Sequence, residues 1–183
     1  IKHIPCEECG SSDGNSLYTD GHEYCHVCLT YKSGDVDYVV TQPIKANKMQ
    51  IKGYAMAIED RGISRSTAEF YGVTTDGDKQ YYPYSNQDGA IIAAKVRTVS
   101  TKDFSVEGSW KEATLFGQQK FNKSGKYITI VEGELDALAA FQMTGSKYPV
   151  VSVRNGAAAA LKDCKTQYEW LDSFETIVVC FDA

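Results

Sequence analysis

From residue 126 onward the chain switches between two periodicities. Tyr127-Ile128-Thr129-Ile130-Val131 is a continuous apolar, β-branched run of the kind found in a strand covered on both faces. In the stretch from Glu134 to Met143, Leu135, Leu138, Ala139 and Gln142 recur three or four apart, which predicts a helix. Val150-Val151-Ser152-Val153 predicts a second strand, Gly156 opens an alanine-rich helix, and Thr176 to Phe181 predicts a third strand. Strand, helix, strand, helix, strand at this spacing is a βαβαβ unit with a parallel sheet.

Upstream the pattern is less regular. A short helix is expected from Tyr54 to Asp60, ended by Gly62, and a second from near Ser64, stopped by Gly72. Gln80-Tyr81-Tyr82-Pro83-Tyr84, a turn at Asn86-Gln87-Asp88-Gly89 and a returning Ala90 to Arg97 make a hairpin. Residues 35–50, with Asp35, Pro43 and Asn47, read as a linker. Residues 1–34 hold two short strands, Leu17-Tyr18-Thr19 and Glu23-Tyr24, turning at Asp20-Gly21. The expected organisation is a small module over 1–34, a linker over 35–50, a mixed α+β subdomain over 51–125 and a parallel α/β subdomain, incomplete, over 126–183.

The cysteines explain the first module. Cys6-x₂-Cys9 and Cys25-x₂-Cys28 can converge as four thiolates on Zn²⁺ with no open position, the structural arrangement. So short a segment cannot bury a core of its own, and bound metal supplies the folding free energy. Disulfides are the rival, and the paired spacing without a secretory leader favours metal. His22 and His26 lie close enough in sequence to replace a thiolate, but a four-cysteine site is complete without them. Cys164 and Cys180 are expected as small buried residues.

Hydrophobic content of 43% and charged content of 23% are globular values, and no apolar run is long enough to cross a bilayer. The net charge of −5 argues against nucleic-acid binding by bulk charge alone. Reduced cysteines point to a cytosolic setting. A chain that opens on Ile1 and stops after Asp182-Ala183 is expected to be a piece of something longer.

In open α/β sheets the working site lies beyond the carboxyl ends of the strands, and three acids fall there. Glu132 follows the first parallel strand, Asp182 follows the last, and Asp136 lies one helical turn after Glu132. Clustered carboxylates repel one another unless a cation neutralises them, and hard oxygen ligands suit Mg²⁺. Glu134 is read as a helix-capping acid instead. Between residues 91 and 126 the balance tips positive, and Lys95 and Arg97 share one face of the returning hairpin strand, with Lys102 in the next loop. Such cations can grip triphosphates or a DNA backbone.

Val131-Glu132-Gly133-Glu134-Leu135-Asp136 with the later Phe181-Asp182 resembles the Toprim domain shared by primases and topoisomerases. Further motifs sharpen the likeness: Cys6-x₂-Cys9-Gly10-Ser11-Ser12-Asp13-Gly14-Asn15-Ser16, Arg61-Gly62-Ile63-Ser64, Tyr82-Pro83-Tyr84, Lys95-Val96-Arg97, Lys102-Asp103-Phe104 and Leu115-Phe116-Gly117. In this order they resemble the primase region of the podovirus-type phage primase–helicases; Ser152-Val153-Arg154-Asn155-Gly156 departs from that pattern. The resemblance implies a zinc ribbon that reads a single-stranded DNA template, linked to a Toprim-like core that makes short RNA primers from ribonucleoside triphosphates with Mg²⁺. It implies Glu132 as general base or metal ligand, Asp182 as metal ligand and Asp136 in support. Lys95, Arg97, Lys102 and Arg61 would hold nucleotide or DNA. Asp20, His22 and Tyr31 would contact the template. It further implies a replicative DNA polymerase as partner, hexamers formed through a fused helicase, no membrane, and the cytoplasm of a phage-infected bacterium. The rivals are a non-catalytic zinc/Toprim clamp like the recombination mediators and a primase-like region that only supports a helicase.

Overall fold

The computed structural model describes residues 2–18, 21–32, 49–121 and 123–182. The chain divides into two compact units, Ile1–Lys45 and Ala46–Ala183. The linker expected over 35–50 lies outside the described residues except for Met49 and Gln50.

The first unit is a four-stranded antiparallel sheet of β1 (Lys2–Ile4), β2 (Asn15–Leu17), β3 (Glu23–Cys25) and β4 (Tyr31–Lys32), in that order. The expected Leu17–Thr19 strand is shifted back, because Asn15 pairs with Cys25 and Leu17 with Glu23. The strands are too short to enclose an apolar interior. Among their residues only Asn15, Ser16 and Cys25 are buried.

The second unit opens without the helix expected over Tyr54–Asp60. The backbone of Tyr54 bonds across to Thr75 in both directions, and Ile58 bridges to Ile63. These extended pairings leave a single 3₁₀ turn at Glu59–Arg61. The next helix forms as expected: α1 (Arg65–Tyr71) starts at Ser64, whose hydroxyl accepts from the Thr67 N–H, and stops at Gly72 with φ +76°. A four-stranded antiparallel sheet follows: β5 (Thr74–Asp76), β6 (Lys79–Ser85), β7 (Ile91–Thr98) and β8 (Phe104–Gly108). Then β9 (Gly125–Val131), α2 (Glu134–Met143), β10 (Val150–Ser152), α3 (Ala160–Thr166), α4 (Tyr168–Leu171) and β11 (Phe174–Cys180) build the parallel unit. Its strand order is β10-β9-β11, both neighbours parallel to β9.

Residues 51–125 and 126–183 share one core. Ile58, Tyr71, Tyr82, Tyr84 and Phe116 pack in the same cluster as Val131, Leu138, Phe141 and Val150. Tyr71 is fully buried, stacks on Phe116 at 5.4 Å and donates its hydroxyl to the Val150 carbonyl at 2.8 Å. Burial pushes its phenol far above the ordinary range, so it remains a donor. Gln142, placed by periodicity on the apolar face of α2, instead clasps the start of α1. Its amide oxygen accepts from Ser64 N–H and Thr67 Oγ1, and its nitrogen donates to the Gly62 carbonyl. Cys180 is exposed rather than buried: of β11 only Phe174 is covered.

Candidate functional site

The zinc ribbon carries the first site. Turns at residues 6–10 and 25–29 present two sulfurs each, closed by Gly10 N–H to Cys6 O and Leu29 N–H to Cys25 O. Cys6 and Cys28 sulfurs lie 3.7 Å apart, as do those of Cys9 and Cys25. Four sulfurs at about 2.3 Å from one zinc are separated by about 3.8 Å, so the cage is already of zinc size. All four ligand atoms lie within 4.8 Å of one another. The Thr30 hydroxyl and N–H favour the thiolate of Cys28 and bring its pKa down to about 6.

On the same unit, Tyr18 stacks on His22 with ring centroids 4.1 Å apart and planes 10° from parallel. Tyr31, from β4, approaches His22 at 5.5 Å and is largely exposed. The three rings form a ladder beside the β2–β3 and β3–β4 pairings. His22 and Tyr31 are the residues that the sequence singles out here, and Tyr18 joins them only because the fold sets it on His22. Asp20 lies outside the described residues.

The second site stands at the carboxyl ends of the parallel strands. Glu132 follows β9, and its carboxylate accepts from the Ala157 N–H at 3.3 Å, in the loop after β10. Gly156 shapes that loop through its φ of +72°, a conformation that side-chain-bearing residues rarely adopt. Gly133 has an ordinary extended backbone, and its missing side chain makes space, since a Cβ would stand 2.9 Å from an Asp136 oxygen. Partial shielding from water raises the Asp136 pKa, and the charges of Asp182, Glu132 and Glu134 push it further. The fold thus brings Glu132, Asp136 and Asp182 into one electrostatic neighbourhood.

The basic hairpin meets this edge differently from expectation. Lys95 does not point to solvent. Its ammonium is ion-paired with Glu134, donates to the Arg154 carbonyl at 2.6 Å and lies 5.7 Å from the Trp110 ring centre. Glu134 is therefore no exposed capping acid; it is buried and also accepts from the Tyr84 hydroxyl. Burial and then the Glu134 charge hold the Tyr84 phenol well above its ordinary pKa, which keeps it a donor. Arg97 is buried too, and its guanidinium donates to Gln80 Oε1 at 3.2 Å. Lys102 is exposed in the tight β7–β8 turn, with φ +62°, and Arg61 is half-exposed beside Asp60 at 3.5 Å.

Residues 1–37 match the zinc-binding domain of primase-helicase. Over 98% of its length the chain is 38% identical to the DNA helicase/primase of Enterobacteria phage T3. The crystal structure of the primase fragment of the bacteriophage T7 primase-helicase aligns with 100% of this chain and 80% of its own, at 38% identity and a TM-score of 0.66. This chain belongs to the phage primase–helicase family. As a family member it corresponds to the primase region, and it spans about a third, 34%, of the phage T3 relative. A second similar structure, with 39% identity and a TM-score of 0.65, shows the T7 primase domains with lagging-strand DNA polymerase, an RNA/DNA hybrid and dTTP.

Against that background, the primase region has two groups that sequence reasoning passed over. Glu134 looked like one more acid in a helical first turn, and only its burial against Lys95 and Tyr84 reveals an ion-paired core residue. Arg154 sits where the chain departs from the familiar motif. It is buried against Asp163, nine residues on, and against Trp110 and Ala113, 44 and 41 residues back.

Proposed function

We propose that this chain is the DNA-templated RNA primase region of a primase–helicase, making short oligoribonucleotides on single-stranded DNA. The observation that carries the reading is one chain combining a zinc-sized four-cysteine cage with clustered acids at the ends of a parallel sheet, alike over its whole length to a primase fragment.

In the proposed reaction the 3′-hydroxyl of one ribonucleotide attacks the α-phosphorus of the next. The new O–P bond forms as the bond to the β-phosphate bridging oxygen breaks, and pyrophosphate leaves with that electron pair. Glu132 takes the hydroxyl proton or ligates metal, held in place by the Ala157 N–H. The chemistry of the donors suits Mg²⁺: Glu132, Asp136 and Asp182 offer hard oxygens, and the charges of Glu132 and Asp182 add to the shielding that raises the Asp136 pKa. When bound, Mg²⁺ neutralises charge developing on the transferred phosphoryl group. Glu132 and Asp182 would ligate it, with Asp136 in support. Lys102 and Arg61 are exposed cations for nucleotide or DNA phosphates. Lys95 acts from within the protein by fixing the hairpin against the acidic edge, and Arg97 by tying β7 to β6 through Gln80. Tyr18, His22 and Tyr31 offer a stacking surface for template bases, and Asp20, two positions before His22 in the sequence, would hydrogen-bond a base.

In the full protein this region would work in the cytoplasm of an infected bacterium, beside a replicative DNA polymerase and within a helicase-driven hexamer. No helix among the described residues is long and apolar enough to cross a membrane. Supplying the full-length protein with varied single-stranded DNA templates, labelled ribonucleotides and Mg²⁺ tests the reading. Short RNA products that vanish on Glu132→Gln are expected; no product on any template sinks it.

A further inference from the structure

Arg154 makes more polar contacts than any catalytic candidate, and its side chain spends them on Asp163, Trp110 and Ala113. Its Nε and terminal nitrogen donate to Asp163 Oδ1 at 3.0 and 2.7 Å, and its own backbone N–H donates to Asp163 Oδ2 at 2.8 Å. The other terminal nitrogen donates to the carbonyls of Ala113 at 2.9 Å and Trp110 at 3.3 Å. Asp163, on α3, is 1% exposed and Arg154 9% exposed, so the pair is shielded from competing water. One side chain thereby joins the loop after β10, the helix α3 and the 110–113 turn.

The loop it anchors is the one that touches the site. The Arg154 carbonyl accepts from Lys95, whose ammonium is ion-paired with Glu134. Three residues on, the Ala157 N–H donates to Glu132. Trp110, whose carbonyl Arg154 holds, packs its ring on Tyr84 at 4.6 Å, and Tyr84 donates to Glu134. Backbone 154–157 is therefore a strap that carries Glu132 at one end and Lys95 at the other.

We propose that Arg154 is a positioning residue for primer synthesis: with Asp163 it fixes this strap, and so the placement of Glu132 relative to Lys95. The inference rests on the primase reading and deepens it. A free strap lets the Glu132 carboxylate wander, and misplacement by about 1 Å of a reacting group costs roughly a hundredfold. The loss falls on turnover, because the two side chains are taken up by each other and by the Trp110 and Ala113 carbonyls.

The test uses the full-length protein and two variants. Arg154→Ala strands the buried Asp163 carboxylate and lowers stability as well as activity. The double replacement Arg154→Met with Asp163→Asn removes both charges at nearly constant volume and keeps an oxygen to accept the backbone N–H of residue 154, so that folding is retained. In primer synthesis the double variant is expected to melt near wild type and keep KM for ribonucleotides within about twofold, while kcat falls about tenfold to a hundredfold. Wild-type kcat in the folded double variant overturns the proposal. So does a raised KM with unchanged kcat, which would place Arg154 in substrate binding. Wild-type protein that makes no primer removes the primase reading, and the proposal with it.

Discussion

The Lys95 ammonium and the Glu134 carboxylate form an ion pair inside the protein, with side-chain exposures of 15% and 8%. The pair ties β7 of the antiparallel sheet to the first turn of α2, two residues from Glu132. Removing one partner leaves a buried charge alone, which costs about 3–5 kcal/mol. Lys95→Met and Glu134→Gln are therefore each expected to be destabilising by roughly that amount in denaturant unfolding, and Lys95→Met with Glu134→Leu much less so. Additive losses in the double variant would show that the two groups do not interact.

Asp136 gives a pH-dependent prediction. Its folded pKa lies above the ordinary 3.8, through partial shielding first and then the charges of Asp182, Glu132 and Glu134. The folded protein thus holds a proton that the unfolded chain releases, and ionised Asp136 opposes folding once pH exceeds the raised value. Asp136→Asn should stabilise the Mg²⁺-free protein at neutral pH, and the gain should vanish as pH falls below 3.8. Both tryptophans, Trp110 and Trp170, lie in the Ala46–Ala183 unit, so their fluorescence follows that unit alone. Added Mg²⁺ should raise the midpoint of the native protein more than that of the variant.

Zinc removal separates the two units. A chelator strong enough to strip the four cysteines should unfold Ile1–Lys45 while leaving tryptophan fluorescence unchanged. Cys25→Ser should do the same. Initiation at template sites is then lost, whereas extension of a preformed primer persists. If initiation and extension fell together, the ribbon would be a structural support and not a template reader.

Gly117 tests the shared core. Its φ of +82° belongs to the left-handed region, and a Cβ there would stand 2.6 Å from the Tyr71 ring. Gly117→Ala therefore adds strain to overpacking and should cost about 1–3 kcal/mol. Tyr71→Phe orphans the Val150 carbonyl, at a cost of about 1–3 kcal/mol. The two effects should not add, because both act through the Tyr71 ring. Urea midpoints for the two single variants and the double variant measure this.

Local sequence settled what depends on neighbours along the chain. Cysteine spacing dictated the zinc ribbon, because two x₂ knuckles need no other residue to converge. The periodicity after residue 126 dictated a parallel βαβαβ unit and placed Glu132 and Asp182 at one edge, since strand direction fixes which ends share a side. Ser64 and Gly72 marked the ends of α1 by capping chemistry alone. Tertiary structure decided what depends on segments distant in sequence. Tyr54 reads as helical until it meets Thr75, and a capping acid at 134 becomes a core ion pair when Lys95 and Tyr84 arrive from the other sheet. Lys95 and Arg97 share a strand face, but alternation says only that they share it, not that the face turns inward. Arg154 carried no signal at all, because its partners at 110, 113 and 163 are assembled only by the fold. Charge pattern and periodicity are local quantities; burial, which decides the role of each charge, is not.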